Sequence, residues 1–155
     1  MGLQVIDHTA TTSADPATVY RLLRDGASWP VFSPLGSFEL ERPSDDGEPG
    51  EGLGAIRIFR TKQALGTIRN RELIVEAEPN RRYAYELLEG LPFRDYRATI
   101  ELTPEGTGTR IHWRSEFHGK YPGAGPLYRR GLDGFIAKLV TGLAEYAPTQ
   151  QAKLR

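Results

Sequence analysis

Apolar and polar positions alternate along Leu3–Thr11, with Val5, Asp7 and Thr9 set against Ile6, His8 and Ala10, and this period of two predicts a first strand. The pattern breaks at Ser13-Ala14-Asp15-Pro16, where Asp15 can cap a helix and Pro16 suits its first position. Val19, Leu22 and Leu23 share one face of that helix, which stops near Gly26. Trp29-Pro30-Val31-Phe32-Ser33-Pro34 is broken by prolines and reads as a single helical turn that plugs an opening with Trp29 and Phe32. From Ser37 short strand-like runs follow: Phe38–Arg42, Ala55–Thr61, Thr67–Ala77, Arg81–Leu88, Arg94–Thr103 and Thr109–His118. Pro43–Gly52 is a polar, acidic loop, and Glu78-Pro79-Asn80, Gly90-Leu91-Pro92 and Pro104–Gly108 are hairpin turns. After Pro122–Pro126 the period becomes 3.6: Tyr128, Leu132, Phe135, Ile136, Leu139, Val140, Leu143 and Tyr146 form one stripe. That helix, Leu127–Ala147, would be about 30 Å long and end at Pro148, leaving Thr149–Arg155 as a frayed tail.

Short links between successive strands imply an antiparallel meander, so the fold class is α+β, a seven-stranded sheet with one long C-terminal helix. Two short helices fall between the first and second strands. The last three strands sort cleanly by parity. Tyr83, Tyr85, Leu87, Tyr96, Ala98, Ile100, Leu102, Ile111, Trp113, Ser115 and Phe117 share one face, and charged residues take the other. The only large apolar partner for the covered face is the stripe of the final helix. A strongly bent sheet closing on one helix leaves interior volume, and Ala98, Ser115, Tyr85 and Tyr96 give it a mostly apolar wall with a few polar handles. Gly131 and Gly142 border the stripe, where glycine allows close sheet contact or leaves space for a guest.

Composition narrows the function. The chain has 155 residues, the size of one domain, expected over residues 1–148 with a tail at 149–155. Its formal net charge is zero, so no overall field favours nucleic acid or an anionic membrane. It has no cysteine, which excludes disulfides and thiol nucleophiles. No secretory signal or apolar run of about 18 residues is visible, so a cytoplasmic location without integral membrane association is expected. The histidines, His8, His112 and His118, lack the spacing of a metal pair, and neither a phosphate loop nor a glycine-flanked nucleophilic serine occurs. No metal and no cofactor are expected.

With element order and local strings taken together, the chain resembles the START-like superfamily of polyketide cyclase/dehydrases and lipid-transfer proteins (SRPBCC). The strings are Asp15-Pro16-Ala17-Thr18-Val19-Tyr20, Trp29-Pro30, Ser33-Pro34, Glu78-Pro79-Asn80-Arg81-Arg82, Asp95-Tyr96-Arg97-Ala98-Thr99 and Gly108-Thr109-Arg110-Ile111-His112-Trp113. The resemblance runs from Val5 to Ala147 and is specific for fold but not for substrate. It implies a helix-grip fold with a cavity between sheet and helix, entered past Glu89-Gly90-Leu91-Pro92-Phe93, with Trp29–Pro34 as the opposite rim.

The residues expected to bind a ligand there are Trp29, Phe32, Arg57, Phe59, Tyr85, Leu91, Tyr96, Ala98, Trp113, Ser115, Phe135 and Leu139. Candidates for chemistry are Arg57, Glu72, Tyr85 and Tyr96. The parity of Ala55–Arg60 is ambiguous: if Arg57 and Phe59 face inward, Glu72 pairs with Arg57 in the cavity, and otherwise the two form an outward salt bridge. Three functions fit. One is a carrier or sensor of a hydrophobic small molecule (lipid, polyketide or aromatic metabolite), acting as monomer or homodimer. The second is a polyketide cyclase/dehydratase using cavity arginine and tyrosine groups. The third is a protein-interaction module, against which the charged outer face argues.

Overall fold

The computed structural model describes residues 2–64 and 66–153; Met1, Leu65 and the last two residues of the expected tail, Leu154 and Arg155, lie outside the described residues. The element order is β1 (Gln4–Thr12), α1 (Pro16–Arg24), a 3-10 turn (Gly26–Ser28), α2 (Trp29–Phe32), β2 (Ser37–Arg42), β3 (Ile56–Gln63), β4 (Gly66–Glu78), β5 (Arg82–Glu89), β6 (Phe93–Glu105), β7 (Gly108–Gly119) and α3 (Gly125–Lys153). All seven strands join one curved antiparallel sheet in the order β1-β7-β6-β5-β4-β3-β2. The expected helix-grip α+β fold is the one observed.

Local chemistry sets the boundaries. The Asp15 side chain accepts a hydrogen bond from the Thr18 backbone N–H at 2.8 Å, capping α1, with Pro16 in the first turn. β6 and β7 run further than their alternation suggests, meeting at Glu105 and Gly108 around Gly106, whose φ of 62° suits a residue without a Cβ. The expected covered face is covered: Tyr83, Ala98, Ile100, Ile111, Trp113, Ser115 and Phe117 are fully buried, Tyr85, Tyr96 and Leu102 nearly so, and only Leu87, toward the end of β5, is half-buried. The opposite face carries cross-strand ion pairs, among them Arg71 with Glu41, Arg82 with Glu101, and Arg114 with Asp7. Among the described residues no helix is long and apolar enough to cross a membrane.

Pro148 does not end α3, which continues to Lys153, so the segment expected as a frayed tail is helical over its described residues. A proline in a helix leaves the carbonyl four residues back without its backbone donor. That carbonyl belongs to Ala144, and the Thr12 hydroxyl donates to it at 2.7 Å. A second tie holds the last turn, where the Asp15 backbone N–H donates to Gln151 Oε1 at 2.6 Å.

The two halves of α3 pack differently. From Ile136 on, Ile136, Leu139, Val140, Leu143 and Ala147 are buried, and Gly142 lies so close to α2 that an added Cβ would sit 1.8 Å from the Phe32 carbonyl oxygen. Ahead of Ile136 the side chains of Tyr128, Leu132 and Phe135 are only half-buried, packed against the core, and Gly131 and Gly134 face solvent, with no atom within 4 Å of where a Cβ would stand. The first half is held along the edge strand instead, by His8 Nε2 on Asp133 Oδ1 at 3.0 Å. The long helix is therefore clamped on α2 and Thr12 in its C-terminal part, while the stripe of its N-terminal part packs against the core only half-buried.

Candidate functional site

The site is built where the inward rows of β3 and β4 face α3. Arg57 on β3 lies directly opposite Glu72 on β4, and Phe59 opposite Asn70. Both members of the first pair are buried, Arg57 completely, which settles the ambiguous parity in favour of the inward arrangement. Arg57 Nη2 donates to Glu72 Oε1 at 3.2 Å, and Nη1 donates to the Leu23 carbonyl at 2.9 Å. A second carboxylate completes the group: Glu51 Oε1 is 3.6 Å from Arg57 Nη1 and accepts from the Gly26 backbone N–H at 2.7 Å. Glu51 belongs to Pro43–Gly52, read from sequence as a polar, acidic loop. Among the described residues it is buried, and Tyr83 Oη donates to its carbonyl at 2.7 Å.

The guanidinium is also enclosed by aromatic rings. Its carbon stands 4.3 Å from the centre of Trp29, 5.2 Å from Phe59 and 5.5 Å from Tyr83. Trp29 is fully buried, stacks on Phe59 at 5.4 Å and meets Trp113 edge-on at 5.5 Å. It is the hub of the aromatic interior rather than part of a rim, the position expected for Trp29–Pro34. Phe32 bridges from it to α3, its ring 6.2 Å from Trp29 and 5.8 Å from Tyr146.

Between these residues and α3 lies a cavity of about 30 Å³, enough for one or two waters. Of the residues expected there, Trp29, Glu72, Tyr85, Leu91, Tyr96, Phe135 and Leu139 line it. Arg57, Phe59, Ala98, Trp113 and Ser115 are not on its wall. They sit behind it: Arg57 and Phe59 against Trp29, and Ser115 within 3.0 Å of the Tyr96 hydroxyl. Phe32 is not on the wall either. Leu35, Asn70, Leu87, Leu132 and Ile136 complete the lining. Leu87, Leu132 and Ile136 had the right parity in sequence, whereas the polar run Gly66-Thr67-Ile68-Arg69-Asn70 gave no sign that Asn70 turns inward. Leu91, from the β5–β6 loop, shares this lining with Leu132 and Phe135 of α3. A wider open groove of about 640 Å³, lined by Asp15, Asn80, Arg81 and Thr103, lies at the opposite end of the strands and shares no residue with this interior.

Burial dominates the electrostatics. Desolvation pushes the Glu72 carboxyl above the usual carboxylate range, with Arg57 opposing it, and Glu51 is raised in the same way. For Arg57 desolvation acts downward, but Tyr83, Glu72 and Glu51 outweigh it and the guanidinium stays charged. Desolvation raises the Tyr96 phenol to about 12 and Tyr85 well above its ordinary value, so both stay protonated at neutral pH. Asn70 Oδ1, beside Gly90 of the β5–β6 loop, is buried with no hydrogen-bond partner. Among the described residues no cluster of three or more histidine, aspartate or glutamate side chains is arranged to hold a metal ion.

The same architecture recurs in solved structures. The protein TTHA0849 from Thermus thermophilus is 22% identical with a TM-score of 0.75, the match covering 95% of this chain and 99% of that one. A START superfamily protein from Mycobacterium smegmatis is 15% identical with a TM-score of 0.79, over 96% of this chain and 99% of that one. The di-domain ARO/CYC StfQ from the steffimycin biosynthetic pathway is 16% identical with a TM-score of 0.75, and the match covers 97% of this chain but 52% of that one. At these identities the likeness is one of fold. No curated protein sequence matches the chain. The sequence model for polyketide cyclase / dehydrase and lipid transport proteins matches residues 4–148, nearly the whole chain, and the chain belongs to that family.

Proposed function

We propose that the protein binds a hydrophobic small molecule between α3 and the sheet, as a carrier or sensor in the cytoplasm. The observation that carries this reading is the asymmetry of α3. Its C-terminal half is clamped by Gly142 on α2 and by Thr12 on Ala144, while Tyr128, Leu132 and Phe135 stay half-buried over an aromatic wall. In the closed form the cavity of about 30 Å³ is too small for a metabolite, so binding requires the N-terminal half of α3 and the loop at Leu91 to move outward. Family membership supports the same site.

A second reading, cyclase or dehydratase chemistry, is favoured by one arrangement: Glu72, Tyr85 and Tyr96 converge on the cavity wall. A proton-transfer group works best with a pKa near the operating pH. Burial moves Glu72 toward that range and the two tyrosines away from it, so Glu72 would move the proton and the phenols would only position the substrate.

The test is titration with N-phenyl-1-naphthylamine, a neutral apolar fluorophore. Saturable one-to-one binding that also perturbs tryptophan emission is expected, because both tryptophans of the chain, Trp29 and Trp113, are buried at or beside the wall. No saturable binding, by this probe or across a panel of aliphatic and polycyclic compounds, would remove the carrier reading. Conversion of a bound polyketide-like compound, followed by mass spectrometry, would favour the second.

A further inference from the structure

The obvious use of a buried arginine in such a cavity is to hold an acidic ligand. The geometry is against it. Arg57 is not on the cavity wall: it stacks behind Trp29, with one terminal nitrogen on the Leu23 carbonyl and the other on Glu72. Two carboxyl groups, Glu51 and Glu72, already face this single guanidinium at 3.6 and 3.2 Å. An anionic guest would add another negative charge to a dry site whose one cation already faces two carboxyl groups and stands off the wall, and an uncompensated buried charge is far more costly than a neutral polar group.

What the wall does present is acceptors. Glu72 is on it, and so is Asn70, two residues along the same strand and on the same face, whose Oδ1 is buried beside Gly90 without a hydrogen-bond partner. Around them stand Trp29, Tyr85, Tyr96 and Phe135. We infer that Glu72, with Asn70, is the specificity determinant of the cavity, taking the hydroxyl of a neutral phenol or enol on an aromatic skeleton and discriminating against carboxylate ligands such as fatty acids. This rests on the cavity reading above and narrows it: the donor group of the guest meets the acceptor that the protein leaves unmet, and the ring system meets the aromatic wall.

Matched compounds on one skeleton test it, by displacement of N-phenyl-1-naphthylamine at neutral pH. 2-Naphthol should compete at a concentration lower by at least about tenfold than 2-naphthoate, and also lower than 2-methoxynaphthalene, which keeps the ring and loses the donor. Glu72→Gln should bring naphthol and naphthoate to within about threefold of each other, since it removes one negative charge and weakens the acceptor. Naphthoate binding to the wild-type protein as tightly as naphthol would overturn the inference while leaving the cavity reading intact, whether or not the variant folds. Equal binding of naphthol and its methyl ether would overturn it as well. Failure of the fluorophore itself to bind would remove the cavity reading and this inference together.

Discussion

Replacing Arg57 by methionine isolates the electrostatic design of the interior. Methionine keeps an unbranched apolar stem against Trp29 but removes the charge from a site with no solvent access, where Glu72 and Glu51 lie 3.2 and 3.6 Å away. Breaking a buried ion pair by deleting one partner costs about 3–5 kcal/mol, because the remaining carboxylates lose their counter-ion. They can escape by taking up protons, which fixes the pH dependence. Burial already holds the folded-state pKa of Glu72 above its ordinary value of 4.5, so the native state binds more protons than the unfolded chain. Stability from this group is therefore present below 4.5 and is lost as pH rises through the folded value. Without Arg57 that value moves higher still. Urea unfolding of Arg57→Met should show a loss of about 3–5 kcal/mol at about pH 8 and a clearly smaller loss at about pH 5. Adding Glu72→Gln should restore at least about 1 kcal/mol at the higher pH. A loss below about 1 kcal/mol, or one independent of pH, would refute the claim that one guanidinium neutralises a buried carboxyl pair.

Other substitutions test the frame. Trp113→Ala empties a fully buried position beside Trp29 and should cost about 3–5 kcal/mol in urea unfolding, while a loss within about 0.5 kcal/mol would show that the residue does not pack in the core. Gly142→Ala and Gly134→Ala form a pair on one helix. The first drives a methyl into the Phe32 carbonyl and should destabilise by about 1–3 kcal/mol, and the second, facing open space, should stabilise by about 0.5–1 kcal/mol. Equal effects would mean that Gly142 is not pressed against α2.

The sheet was legible because β5, β6 and β7 are wet on one face only, so their alternation reports direction. β3 defeated the same reasoning. Ile56, Arg57, Ile58 and Phe59 are all buried, because the strand is covered on both sides. Ile58 pairs with Glu39 and Arg71, and the stems of such long ion-paired side chains can shield an apolar neighbour on the outer face. Only the register that sets Arg57 opposite Glu72 resolved it. Glu51 was invisible for a different reason: its burial depends on the acidic loop folding back onto Gly26 and Tyr83, contacts far apart in sequence. Pro148 misled because a local rule was offset by a hydroxyl from Thr12, on the far side of the chain. The cavity wall was half legible, since parity selects a face but not which of its residues stand in front.

Everything functional here depends on a guest entering under the half-buried N-terminal stripe of α3. Amide and indole N–H chemical shifts of isotope-labelled protein, followed by NMR during addition of 2-naphthol, locate the guest directly. Shifts should concentrate at the Trp29 indole, at Leu91 and along Tyr128–Leu139, leaving the clamped segment Leu143–Ala147 and the ion-paired outer face unmoved. Changes confined to that outer face or to the groove at Asn80–Arg81 would contradict the account.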